Sequence, residues 1–296
     1  MEREFRELNS HGTPTFPLQV YSHRDKNGFY FVPQHWHDEF EWVYVDTGVL
    51  NLTVHGQPYT LHPGDFCFIN SGELHEIRSS GESYHHAIVF HPNLLDFAAY
   101  DICQHGFIRP VTSCKILFPY VETVFSPKLK KEILSHMQSI VKLTQYPSKC
   151  TALSIKIHIF SVLESLFQSE TMKENLATAK TEVSLNNLKR VIGYIEQNYA
   201  SAISLDMLAE IAYMSSNYFC HYFRKEVGKS PIAFINEFRI EKAAQMLSET
   251  DLQISQIALS VGFENFSYFI RKFRECKTVT PKEYRSIWKV QNSKER

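Results

Sequence analysis

At 296 residues, 44% hydrophobic and 21% charged with a net charge of −1, the chain has the composition of a soluble globular protein long enough for two cores. No apolar run reaches the roughly 18 residues that span a bilayer, and the opening MEREFRELNSHG lacks the apolar stretch of a secretory leader. The six cysteines (Cys67, Cys103, Cys114, Cys150, Cys220, Cys276) are scattered, with no C-x-x-C pair and no zinc spacing, as in a reduced compartment. A cytoplasmic protein without a membrane partner is expected.

In chain order, 41–45 and 50–54 are rich in β-branched and aromatic residues and predict strands. His55-Gly56 predicts a tight hairpin into 58–61, Pro63-Gly64 turns the chain into 65–69, and Ser71-Gly72 turns it again. Short strands at this spacing predict a barrel or sandwich. Leu129, Ile133, Met137, Ile140 and Val141 then recur at helical spacing, and 153–167 predicts a second, largely apolar helix. Such a pair can cap a barrel, join two domains or pair with a second copy of the chain. The polar stretch 168–184 has no apolar period and predicts a linker, and the remainder predicts helices.

The two halves differ in chemistry. From residue 182 onward there are 16 Lys+Arg against 13 Asp+Glu, a net +3, whereas the preceding part carries −4 and 13 of the 14 histidines. A mildly basic half suits nucleic acid. It also contains a repeat: Tyr218-Phe219, Phe223-Arg224 and Ser230-Pro231 recur 50 residues later as Tyr268-Phe269, Phe273-Arg274 and Thr280-Pro281. Leu208-Ala209 matches Ile257-Ala258 at an offset of 49, which places one extra residue in the second copy, within the 261–263 turn. Each copy predicts helix, turn, helix. Leu205, Leu208, Ala209 and Ala212 line the inner face of the first helix, and Phe219, Tyr222 and Phe223 that of the second. Ile254, Ile257, Ala258, Val261, Phe266, Phe269 and Phe273 take these places in the other copy, with Gly262 at its turn.

The outward face of each second helix then presents Asn217, Cys220, His221 and Arg224, and in the other copy Ser267, Ile270, Arg271 and Arg274, at i, i+3, i+4 and i+7. Arg and Asn pair bidentately with guanine and adenine edges, and Ile packs on a thymine methyl. Lys225, Lys229, Lys272 and Lys277 are placed to neutralise phosphates. These residues resemble the AraC/XylS family of regulators over about 188–285, most specifically in I-x-x-I-A-x-x-V-G-F-x-x-x-S-Y-F-x-R-x-F-R at 254–274. The resemblance implies seven helices, with two helix-turn-helix units joined by a long helix that 233–247 fits. Thr278 stands where the family often has Gly, while the first repeat keeps Gly228.

In the N-terminal half, His35-x-His37-x-x-x-Glu41 with Gly48, followed by Gly64-x-x-x-x-x-Asn70-x-Gly72-x-x-His75, resembles the two motifs of the cupin barrel. Alternation on one strand would bring His35, His37 and Glu41 to one face, with His75 joining from another strand. Such a set can bind a first-row divalent ion with open positions, or its members can bond to each other or to an organic effector. Asn70 stands where the second motif has Pro, and Ser79 where it ends in Asn. His62 and His85-His86 add nothing at metal spacing. Tyr30, Trp36, Phe40, Trp42, Tyr44, Phe66 and Phe68 lie near enough in sequence to stack on a sugar face.

The expected organisation is a multidomain α+β protein: a cupin-like sensor barrel at 1–125, dimerisation or capping helices at 126–170, a linker at 171–184, and an all-α DNA-binding domain at 185–290. It implies a ligand-responsive transcription regulator and not an enzyme. Its partners would be double-stranded DNA, a small effector of which sugars are one class, RNA polymerase if it activates, and a second copy of itself. A divalent metal in the barrel is the one cofactor the residues suggest. The rival reading is a cupin metalloenzyme fused to a DNA-binding module.

Overall fold

Eight antiparallel strands open the chain: β1 (Leu18–Asp25), β2 (Phe31–His35), β3 (Phe40–Thr47), β4 (Leu50–Val54), β5 (Gln57–Leu61), β6 (Phe66–Ile69), β7 (His75–Ser79) and β8 (Ser83–Phe90). They form two four-stranded sheets, in the orders β1-β8-β3-β6 and β2-β7-β4-β5. The computed structural model describes residues 11–99, 101–120, 125–176 and 179–292, as two units divided between 178 and 179. His55 and Gly56 both take positive φ (47° and 70°), which gives the primed turn that a two-residue hairpin needs.

Alternation sorts the side chains into two cores. Val43, Val45, Cys67, Ile69, Ala87 and Val89 cluster with Leu50, Leu52, Leu61 and Ile77 of the other sheet. On the opposite face of β3, β6 and β8, Phe40, Trp42, Tyr44, Phe66, Phe68, Ile88 and Phe90 pack with two helices, α2 (Pro127–Gln145) and α3 (Thr151–Gln168). Five of the aromatics expected near an effector (Phe40, Trp42, Tyr44, Phe66 and Phe68) therefore belong to this second core, while Tyr30 packs with the first. All five stripe residues of α2 are buried, each contributing roughly 1.5–3 kcal/mol of apolar burial. The helices thus cap one sheet.

Between β8 and α2 lie the single turn α1 (Arg109–Thr112) and strand β9 (Ile116–Leu117), which pairs with β10 (Lys173–Glu174). The expected linker is therefore structured at both ends: it contains β10, and α4 begins at Ala179. Ala, Lys and Glu near 179–182 favour helix without any apolar period, and two-residue pairing leaves no periodic trace.

The second unit holds seven described helices, as expected: α4 (Ala179–Asn198), α5 (Leu205–Ile211), α6 (Ser216–Val227), α7 (Pro231–Glu249), α8 (Ile254–Ser260), α9 (Phe266–Lys277) and α10 (Pro281–Asn292). Side chains of Ser204, Ser215, Ser230 and Asn265 cap α5, α6, α7 and α9. Phe219, Phe223, Phe269 and Phe273 are fully buried, but Phe266 is 45% exposed at the first turn of α9 and does not join the inner face. Arg239 of α7 donates to the carbonyls of Tyr199 and Ser201 (2.6 and 2.8 Å), ahead of the first motif. Arg285 of α10 does the same to Leu247 and Leu252 (3.4 and 2.7 Å), ahead of the second.

The two motif turns use the same backbone with different residues. Tyr213 (φ 55°) occupies the left-handed position that Gly262 (φ 90°) fills in the second copy. Met214 and Phe263 then make matching hydrogen bonds to Ala209 and Ala258. The extra residue is thus Glu264, just after the expected turn. Gly262 is required: a Cβ there would lie 2.9 Å from the carbonyl oxygens of Tyr199 and Ala200. α6 and α9 also end alike, on Gly228 (φ 80°) and Thr278 (φ 63°), whose amides donate to Arg224 and Arg274. A β-branched residue in this conformation is strained. Thr278→Gly is expected to stabilise the domain by about 1 kcal/mol, measured by denaturant titration, and a loss of stability would contradict the strain.

Candidate functional site

The outward face of α6 exposes Asn217, His221, Arg224 and Lys225, with Cys220 half-buried between them. α9 exposes Ser267, Arg271 and Arg274, with Ile270 and Lys272 half-buried. The structure thus leaves both predicted reading faces accessible, each fixed from behind by a buried Phe pair. Glu275 organises the second face: it accepts from Lys272 at 2.7 Å and lies 3.8 Å from Arg271. The first repeat has Lys225 at this position, so the two faces differ in charge although they share a fold.

Two lysines expected at phosphates serve the interior instead. Lys277 is 5% exposed and donates to Glu241 at 2.6 Å, while Lys229 donates to Glu237 at 2.5 Å. Both carboxylates lie one turn apart on α7, so these lysines tie each motif to the connecting helix. A basic residue at a helix end reads as surface in sequence, and only the fold shows the acidic partner beneath it.

The other predicted cluster forms in the barrel. The ligand atoms of His35, His37, Glu41 and His75 all lie within 4.8 Å of one another. The residues do not share one strand: His35 ends β2, His37 sits in the following turn, Glu41 lies on β3 and His75 begins β7 opposite His35. Parity on a single strand is therefore the wrong explanation, and convergence of three strands and a turn is the right one. Glu41 Oε2 lies 3.1 Å from His37 Nε2 and 3.2 Å from His75 Nε2. Burial alone would raise the Glu41 carboxyl, but hydrogen bonds from His37 and His75 hold it well below the usual carboxylate range.

The far sides of the rings decide what the cluster can hold. Nδ1 of His35, His37 and His75 lies 3.0, 3.1 and 2.8 Å from the carbonyl oxygens of Pro33, Glu39 and Glu73. A carbonyl only accepts, so each Nδ1 carries a proton, and a ring with no second proton offers its Nε2 lone pair. Three such rings and a carboxylate fit a first-row divalent ion, with backbone carbonyls fixing the tautomer.

Asn70 and Ser79, the departures from the second cupin motif, serve the barrel frame. Asn70 pairs in both directions with the Phe118 backbone (2.8 and 3.2 Å), and Ser79 donates to Asp25. His85 and His86, which add nothing at metal spacing, are both buried on β8. His86 is 2% exposed, between Ser22 Oγ (2.7 Å) and Asp46 Oδ2 (3.0 Å). His85 is 1% exposed, neither ring nitrogen makes a hydrogen bond, and burial lowers it to about 4. No described helix is long and apolar enough to cross a membrane.

Comparison with known proteins agrees with both halves. Residues 16–116 match the model of the AraC-like ligand binding domain, and 208–287 that of a helix-turn-helix domain. The HTH-type transcriptional regulator YdeC of Bacillus subtilis is 24% identical, covering 97% of this chain and 98% of the relative. YdiP of Escherichia coli is 26% identical (86% and 81% covered), and the HTH-type transcriptional activator RhaS of an Enterobacter species is 24% identical (86% and 87%). With a ligand-binding barrel ahead of two helix-turn-helix units, the chain belongs to the AraC family of DNA-binding transcription regulators.

Proposed function

We propose that the protein activates transcription from a two-part DNA site, reading one part with α6 and the other with α9, under control of a small effector in the barrel. The observation that carries this reading is the pair of accessible polar faces, each fixed from behind by buried phenylalanines. RNA polymerase is then the partner, and kinship with a regulator named as an activator supports that sign. A hydroxylated effector such as a sugar suits the imidazoles of the barrel. A divalent ion on His35, His37, Glu41 and His75 completes the effector site. Its Lewis acidity would favour oxygen donors, while the carbonyl-bound imidazoles keep their tautomer. Selection of bound fragments from random DNA tests the reading. An enriched bipartite motif is expected, and retention without sequence preference would refute it.

Self-association through α3 completes the proposal. Leu163, a natural choice for a contact residue, is 3% exposed in the chain's own core, whereas Leu153 and Ile157 are 63% and 55% exposed one turn apart. Ile157→Asp is expected to shift the protein to monomers in sedimentation velocity. An unchanged dimer, or a monomeric parent protein, would exclude this face as the contact.

A further inference from the structure

One ligand of the barrel cluster is bonded to a chain of groups that runs to β10, a few residues ahead of α4 in sequence. His75 Nδ1 donates to the Glu73 carbonyl at 2.8 Å. The Glu73 carboxylate accepts from the Asn70 amide at 2.8 Å and from the Tyr120 hydroxyl at 2.7 Å. Asn70 in turn holds Phe118 through both halves of its side-chain amide, and the Phe68 amide donates to the Tyr120 carbonyl at 3.0 Å. These bonds fix the segment that contains β9. β9 pairs with β10, and Asn175 adds two more bonds, to the carbonyls of Lys115 (2.8 Å) and Cys114 (2.9 Å). β10 ends five residues before Ala179, where α4 begins.

Along this route Glu73, Asn70 and Phe118 are 7%, 1% and 1% exposed, so water does not compete for their bonds. Burial and the Glu73 carboxylate push the Tyr120 phenol far above its usual range, so its hydroxyl stays a donor.

We propose that Glu73 and Tyr120 couple occupancy of the His35–His37–Glu41–His75 cluster to the order of the β9–β10 ribbon, and so to the segment leading into the DNA-binding unit. The proposal rests on the cluster holding a divalent ion. An ion on His75 Nε2 restrains the ring, the ring restrains the Glu73 carbonyl, and the Glu73 carboxylate passes that restraint to Asn70 and Tyr120. Coupling of this kind is reciprocal, so loosening β9 must also weaken the ion slightly.

Hydrogen exchange of the full-length protein with and without Co²⁺ tests it, with the visible absorption of bound Co²⁺ reporting the site independently. In the parent protein Co²⁺ is expected to slow exchange at 116–118 and 173–175 by about tenfold. In Tyr120→Phe, and again in Glu73→Gln, the Co²⁺ spectrum should persist with affinity within about threefold, while the slowing at the ribbon is lost. Slowing confined to the ligand residues of the parent protein overturns the coupling but leaves the metal site standing. So does ribbon slowing that survives both variants. A parent protein that gives no Co²⁺ spectrum sinks the metal site, and the coupling with it.

Discussion

Arg271→Ala is expected to relax base preference in one half of the DNA site at a cost of about 1–3 kcal/mol. His221→Ala should do the same in the other half, about 10 base pairs away. The two residues occupy equivalent positions 50 apart in the repeat, and both are exposed. Arg271 sits on the exposed outer face of α9. Its guanidinium lies 5.2 Å from the Tyr268 ring centroid and 3.8 Å from Glu275, contacts that hold the side chain on the outer face without burying it. Competition experiments with the selected site and with scrambled DNA read the effect. Affinity ratios unchanged in both variants would mean that α6 and α9 are not the reading helices.

The second large effect concerns the barrel. Purified protein is expected to carry close to one divalent ion per chain in native mass spectrometry, and His35→Ala/His37→Ala to carry none. The variant removes two of the three imidazoles and leaves one ring with one carboxylate, too few donors to retain a first-row ion through dialysis. Breaking a single carbonyl bond behind a ring should instead weaken binding by roughly 10–100-fold. Protein that never acquires Zn²⁺, Ni²⁺, Fe²⁺ or Mn²⁺ during dialysis against a weak chelator would make the cluster a purely organic site.

The helical half was legible because its repeat forces matching solutions. Tyr-Phe, Phe-Arg and Ser/Thr-Pro can recur at one offset only if both copies bury the same face and start the next helix alike. The strand order of the barrel was not legible, since it depends on pairings such as β3 with β8 that lie far apart in sequence. The cluster was found from ligand types, and its geometry misread, because the turn at His37 looks in sequence like a continuing strand. The roles of Asn70 and Ser79, which depart from the second cupin motif, were not legible for a related reason: their partners, Phe118 and Asp25, lie 48 and 54 residues away. Lys277 and Lys229 were misplaced because their ion pairs with Glu241 and Glu237 are a property of the folded domain alone.

Footprinting the full-length protein on a DNA fragment it selects tests the central claim most directly. Two protected stretches on one face of the duplex, centred about 10 base pairs apart, are expected, and Arg271→Ala should erase one while sparing the other. A single uninterrupted footprint that both Arg271→Ala and His221→Ala leave unchanged would contradict reading by two helices.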